Sequence, residues 1–169
     1  MQARIEFLEK TAYASQEAQA IHWSQDKLEE YFPGQVITEI TDHDFSSSNQ
    51  YLVALDNPGY FADDLDQFME RADAYYLEVH ISSIKPLVHV SFWKYPKGTQ
   101  GQELLVTAEA PLAQYEQYLA LAHQYAADHQ LALVSKQDFN LQLEEEGRQV
   151  SLYYKYFNFY PDDDPWYSH

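Results

Sequence analysis

Residues 75 to 93 read YYLEVHISSIKPLVHVSFW, and they carry the clearest secondary-structure signal in the chain. Apolar and polar residues alternate on both sides of Ser83–Pro86, which predicts two strands joined by a short connection. An antiparallel register centred on that connection pairs Val79 with Val90 and Leu77 with Phe92. Because this register puts every apolar residue on one face, it is the self-consistent pairing.

The opposite face of this hairpin carries the first group of candidate binding residues. The same register sets His80 opposite His89 and Glu78 opposite Ser91, with Trp93 at the border. Two imidazoles and a carboxylate suit general acid–base chemistry or a divalent metal. The alternative is an ordinary solvated face of a half-buried sheet, where strand alternation alone places polar residues. We therefore assign these residues to binding, and assign neither a catalytic nor a metal-ligating role.

The rest of the chain predicts an α+β fold. Ser15 is a suitable N-cap for a helix that Pro33-Gly34 ends. Further helices are expected over 63–72 and 111–129, and further strands over 35–41, 51–55, 103–108, 131–134, 137–144 and 149–159. Residues 1–14 fit a helix or a strand, and 42–50 are expected to form a polar loop. This order indicates a mainly antiparallel sheet of hairpins and meanders, with about three helices packed on one face.

The last predicted hairpin turns over residues 145–148. It pairs three residues of each strand, namely Phe139, Leu141 and Leu143 with Tyr154, Leu152 and Val150. The second strand is rich in aromatic residues on both of its faces, so we expect both faces to be covered.

A second group of candidate binding residues follows that hairpin. Asp162, Asp163 and Asp164 precede Trp166 and Tyr167. The three carboxylates resemble part of a calcium loop, but the spaced ligands and terminal Glu of an EF-hand are missing. Trp and Tyr are frequent anchors of protein interfaces, so a protein contact is the preferred interpretation. The alternative is a tail that folds back on its own domain.

Length and composition limit the protein class. The 169 residues are 46% hydrophobic, and we expect one domain spanning 1–169. The absence of Cys excludes disulfides, thiolate nucleophiles and Cys-based metal sites. We expect neither a signal peptide nor a membrane span, and hence a cytoplasmic location.

The charge is strongly negative and unevenly distributed. Twenty-seven acidic residues against ten basic ones give a net charge of −17. The segment from Leu28 to Glu70 contains ten Asp or Glu and no Lys or Arg. Nucleic acid and anionic membranes are therefore unexpected partners, because phosphate binding needs clustered bases. A basic protein is the natural complement, and solubility alone is the alternative explanation.

These observations predict a non-enzymatic acidic protein that binds a basic protein partner. An immunity-type (toxin-neutralising) inhibitor and a nucleic-acid mimic are its concrete forms. One alternative is a small metal-dependent or His/Glu acid–base hydrolase, and another is an adaptor or oligomerising subunit. No phosphate-binding Gly loop, Gly-x-Ser-x-Gly or His-Glu-x-x-His motif is present, and we expect no cofactor.

Overall fold

The computed structural model describes residues 1–20, 25–41, 46–55, 74–95, 102–104 and 115–158. Its helices are α1 Gln2–Lys10, α2 Gln16–Ala20, α3 Gln25–Glu29, α4 Glu116–Asp128 and α5 Leu152–Tyr156, with a 3-10 helix at Asp138–Asn140. Its strands are β1 Ile37–Glu39, β2 Ser48–Leu55, β3 Ala74–Ser82, β4 Leu87–Tyr95, β5 Gln102–Leu104, β6 Ala132–Leu133, β7 Gln142–Glu145 and β8 Arg148–Ser151. The expected helix over 63–72 lies outside the described residues.

The main sheet confirms the α+β prediction. Strands β1 to β5 pair antiparallel in sequence order, and β6 adds a short parallel pairing with the start of β4. The predicted β3–β4 register is also confirmed, since Val79 pairs with Val90 and Leu77 with Phe92. Strands β7 and β8 form a separate two-stranded sheet.

One side of the main sheet, which we call the apolar face, carries the larger core. Alternate residues of β2, β3 and β4 point to it, among them Val53, Leu77 and Val88, which are fully buried. Helices α3 and α4 cover this face through residues such as Leu28 and Ala122. The helices pack here because each presents an apolar stripe to the alternating strands.

The other side, the second face, is apolar only at its two ends. At one end Leu52, Ala54 and Tyr76 form a small buried cluster. At the other end Leu87 of β4 packs under α1, the β7–β8 hairpin and α5, in a cluster that includes Leu8, Leu143, Leu152 and Phe157. Between these ends lie the polar residues of β3 and β4.

The first predicted helix is helical on both sides of residues 21–24, which lie outside the described residues. Ser15 caps α2 as expected, with its Oγ accepting from the Ala18 N–H at 3.0 Å. Helix α3 begins at Gln25. Gly34 has φ of +81°, a left-handed conformation that ends the helical segment as predicted.

The last hairpin corrects the sequence prediction. Its inner pair, Leu143 opposite Val150, is present, and the Leu152 N–H still donates to the Leu141 carbonyl at 2.8 Å. The predicted strand over 149–159 is confirmed for residues 149–151, which belong to β8, but it is wrong from Leu152 to Tyr156, where the chain forms helix α5. The Ser151 hydroxyl accepts from the Tyr154 N–H at 3.3 Å and caps this helix. Residue 139 is likewise in a 3-10 helix, and it contacts Tyr153 instead of pairing with Tyr154.

Helix α1 resolves the ambiguity of residues 1–14, and basic side chains bind it to later elements. Arg4 pairs with Asp138 at 2.8 Å, and Lys155 lies 3.5 Å from Glu9. Lys85 Nζ donates to the Glu9 and Thr11 carbonyls at the end of α1. A cation at a helix C-terminus is favourable because unpaired carbonyls concentrate partial negative charge there.

Among the described helices, none combines the length and apolar character required to cross a membrane.

Candidate functional site

A cavity of about 330 Å³ lies in the polar middle of the second face, and we call it the polar cavity. Its volume falls at the lower end of the range of ligand pockets, roughly 300 to 1,000 Å³. Strands β2, β3 and β4 supply its floor, while the 3-10 helix and α5 supply a wall. The lining residues are Gln50, Glu78, His80, His89, Ser91, Trp93, Lys136, Phe139 and Tyr153.

All five sheet residues predicted for binding line this cavity. They converge because the register sets His80 against His89 and Glu78 against Ser91 on the same face. The expectation of a solvated sheet face is wrong, since His80 is 5% exposed and His89 7%. The two histidines are buried because Phe157 packs against His80 and Phe139 packs against His89. The alternating pattern of β3 and β4 does not predict this cover.

His80 is held by a buried serine. Its Nε2 contacts the Ser48 hydroxyl, which in turn donates to the Phe157 carbonyl at 2.8 Å. Because Ser48 has one proton and gives it to that carbonyl, it accepts from His80 Nε2. Burial, followed by the proximity of His89, lowers the pKa of His80 to about 3. His80 is therefore neutral at physiological pH.

His89 is oriented by the backbone. Its Nδ1 lies 2.8 Å from the Val134 carbonyl, which can only accept, so Nδ1 carries the proton. The Phe139 ring packs beside it, with ring centroids 4.5 Å apart. The carbonyl and the ring together fix the plane of the imidazole.

A short hydrogen-bond relay orients Glu78. Trp93 Nε1 donates to Ser91 Oγ at 3.0 Å, and Ser91 Oγ donates to Glu78 Oε2 at 3.1 Å. Across the cavity, burial and then the charge of Glu78 raise the pKa of Tyr153, which stays a neutral phenol. The cavity thus presents a positioned carboxylate beside aromatic rings.

His80 and Ser48 are poorly suited to acid–base and nucleophilic chemistry. A histidine with a pKa of about 3 is a weak base near neutral pH, where catalytic bases work best. Ser48, the hydroxyl beside it, is 1% exposed and is engaged with Phe157, so it is inaccessible as a nucleophile. Within the described ranges, no group of three His, Asp or Glu side chains has the geometry to hold a metal ion.

Four lining residues were missed by sequence reasoning. Gln50 was assigned to a polar loop, but β2 begins at Ser48 and pairs Gln50 with His80. Extending the strand by its period of two would have placed Gln50 on this face. Lys136, Phe139 and Tyr153 come from the wall, whose fold the sequence pattern did not predict.

The second candidate group, Asp162, Asp163, Asp164, Trp166 and Tyr167, lies outside the described residues. Comparison of the chain with protein-family models, with curated proteins and with solved structures found no match.

Proposed function

We propose that this chain is a non-enzymatic binding protein whose acidic surface engages a basic protein partner. The observation that carries the proposal is the net charge of −17, with a segment from Leu28 to Glu70 free of Lys and Arg. Such a field accelerates the encounter with an oppositely charged protein. An immunity-type inhibitor and a nucleic-acid mimic are the two concrete forms, both acting in the cytoplasm.

The placement of the described charges supports this proposal. Glu29 and Glu30 at the end of α3, and Glu39 on the edge strand β1, are all exposed. Several of the ten bases are used inside the fold instead, where Arg4, Lys85 and Lys155 bind α1 to later elements. Among the outward acids, Glu30 pairs with Lys27 at 2.9 Å. The ten bases therefore offset only part of the acidic charge, and the net charge stays at −17.

The hydrolase alternative has weaker support, because burial lowers the pKa of His80 to about 3, which makes it a weak base at neutral pH, and its Nε2 is engaged with Ser48. The adaptor alternative rests on the aromatic C-terminal residues after 158, which lie outside the described part of the chain.

Affinity capture from the source cells, followed by reconstitution with the purified partner, tests the proposal. We expect a basic protein whose association rate falls steeply with added salt, because the screening length shrinks from about 10 Å at 0.1 M to about 3 Å at 1 M. Reversing Glu29 and Glu30 to Lys should slow association about tenfold. The matched control reverses Glu144 and Glu145, two exposed acids of the hairpin. Recovery of no basic partner, or binding that is insensitive to salt, would refute the proposal.

For the immunity-type form, co-expression with the partner should relieve growth inhibition by that partner. Inhibition that persists, despite a complex formed from the pure proteins, would exclude this form while leaving the binding function intact.

A further inference from the structure

The polar cavity carries a more specific inference about the same partner. It combines a positioned carboxylate, aromatic walls and depth. Its floor belongs to the central strands β3 and β4, so the sheet holds its shape. Sites on such strands are positioned more accurately than sites on loops.

The acceptors in the cavity suit a flat cation with several N–H donors. Glu78 offers a carboxylate whose orientation Ser91 fixes through a 3.1 Å hydrogen bond. Gln50, on the neighbouring strand, adds an amide oxygen within the same lining. A guanidinium has five donors in a planar fork and binds a carboxylate in a bidentate manner, which an ammonium does not.

The walls suit the same group. Trp93, Phe139 and Tyr153 line the cavity, and the last two have ring centroids 5.0 Å apart. Guanidinium groups stack on aromatic faces, and this attraction is stronger where water is excluded. His80, whose pKa is about 3, adds no positive charge that would oppose a cation.

We propose that the polar cavity receives the guanidinium of an arginine side chain presented by the basic partner. Glu78 is the anionic contact, and the three aromatic rings enclose the planar group. This inference rests on the proposed function, because a basic partner supplies the arginine. It goes beyond that function because it places the arginine of the partner on the second face instead of on the acidic α3–β1 region.

Lys136 makes it possible to test whether the guest of the polar cavity is positively charged. This exposed residue lines the same cavity, and its ammonium has the same charge as the proposed guest. Like charges at close range disfavour binding, so removing this charge should strengthen arginine binding while removing the charge of Glu78 weakens it. A guest with a carboxylate or phosphate would show the opposite pattern.

The probe is N-acetyl-arginine amide, titrated into the full chain and followed by NMR shifts of residues lining the cavity. N-acetyl-citrulline amide is its neutral counterpart of nearly equal shape, and N-acetyl-lysine amide tests the preference for a planar cation. We expect the arginine compound to bind at least about tenfold more tightly than citrulline, the factor that one charged hydrogen bond supplies. Glu78→Gln should remove this difference, whereas Glu144→Gln, the same charge change on the hairpin, should leave it unchanged. A thermal unfolding profile of Glu78→Gln that matches the native one verifies that the fold is intact.

Equal binding of arginine and citrulline compounds would overturn the inference, as would tighter binding of the lysine compound or weaker arginine binding in Lys136→Gln. The proposed function fails separately. If the arginine compound does not bind but a salt-sensitive basic partner is recovered, the cavity assignment is wrong and the function stands. If the arginine compound binds in the cavity but no basic partner is recovered, the site stands and the function is wrong.

Discussion

The two faces of the main sheet come from the same alternating strands, yet they are buried in different ways. The apolar face places residues such as Leu77 and Val79 under helices α3 and α4. The second face buries His80, His89 and Ser91, which need hydrogen-bond partners as well as cover. The comparison indicates that the apolar face provides stability, while the second face provides a shaped polar surface.

The physical reason is the cost of burying polar groups. A buried polar atom without a partner costs about 1–3 kcal/mol, so most buried polar residues have hydrogen-bond partners. Here Ser48 satisfies Nε2 of His80, and the Val134 carbonyl satisfies Nδ1 of His89. Hydrogen bonds of this kind fix the geometry of the buried polar side chains.

The largest expected effect is the loss of stability caused by a substitution on the apolar face. Leu77→Ala removes a fully buried side chain from the central strand, and we expect it to lower the free energy of unfolding by about 3 kcal/mol. Urea denaturation measures the loss. Leu133→Ala, the same change at a position that is 40% exposed, is the control. Equal losses at both positions would show that the apolar face is not the main source of stability.

The next largest effect is the pH dependence of the free energy of unfolding, which arises from His80 on the second face. The pKa of His80 is 6.5 when unperturbed and about 3 in the fold. Between pH 6.5 and pH 3, His80 binds a proton more readily in the unfolded chain than in the folded one. The free energy of unfolding is therefore unaffected by protonation of His80 above pH 6.5, and it declines as the pH falls toward 3. From pH 7 to pH 5 the decline attributable to His80 is about 2 kcal/mol.

The measurement is chemical denaturation of the native protein and of His80→Gln at both pH values. Glutamine retains an N–H donor near the position of Nε2 but does not titrate in this range. The native protein should therefore lose more stability than the variant on acidification. Identical losses would mean that His80 is not buried in its neutral form.

A smaller effect concerns the wall above the second face. Ser151→Ala removes the N-cap of α5 and should lower the free energy of unfolding by about 1 kcal/mol. Ser151→Thr retains the hydroxyl and serves as the matched variant. Thermal melting of the three proteins is the measurement, and a Thr variant as unstable as the Ala variant would contradict the capping role.

The smallest effect is expected at Lys136. Because its side chain is exposed, Lys136→Gln should change the free energy of unfolding by less than about 0.5 kcal/mol. The same variant should bind the arginine probe more tightly. A large loss of stability would show that this residue supports the fold as well as bordering the cavity.

Sequence reasoning was most successful where the period of the pattern was long and uninterrupted. Strands β3 and β4 alternate over most of their length, so their register and the convergence of His80 with His89 were predicted correctly. The start of β2 was missed because Ser48 and Asn49 are polar yet buried, and a pattern read from hydrophobicity assigns them to a loop.

The wall was mispredicted for a different reason. Residues 152–156 are rich in Tyr, a residue that favours strands, and only the serine before them indicates a helix. A single cap outweighed the propensity because Leu152 and Tyr156, four residues apart, both enter the same cluster. The depth of the cavity follows from this turn of helix, and so it was not predicted either.

Helix α1 has a consequence for the order in which the protein assembles during synthesis. Its nine residues are too few for a stable helix in water, where about 12–15 residues are needed. Its ion-pair partner Asp138 is made 134 residues after Arg4, an interval on the order of ten seconds at about 5–20 residues per second. Most of the cluster that buries Leu8 also lies after residue 130, so we expect α1 to be secured only once those residues have been made. We therefore expect the second face of the main sheet to stay open until the residues of α5 have been made.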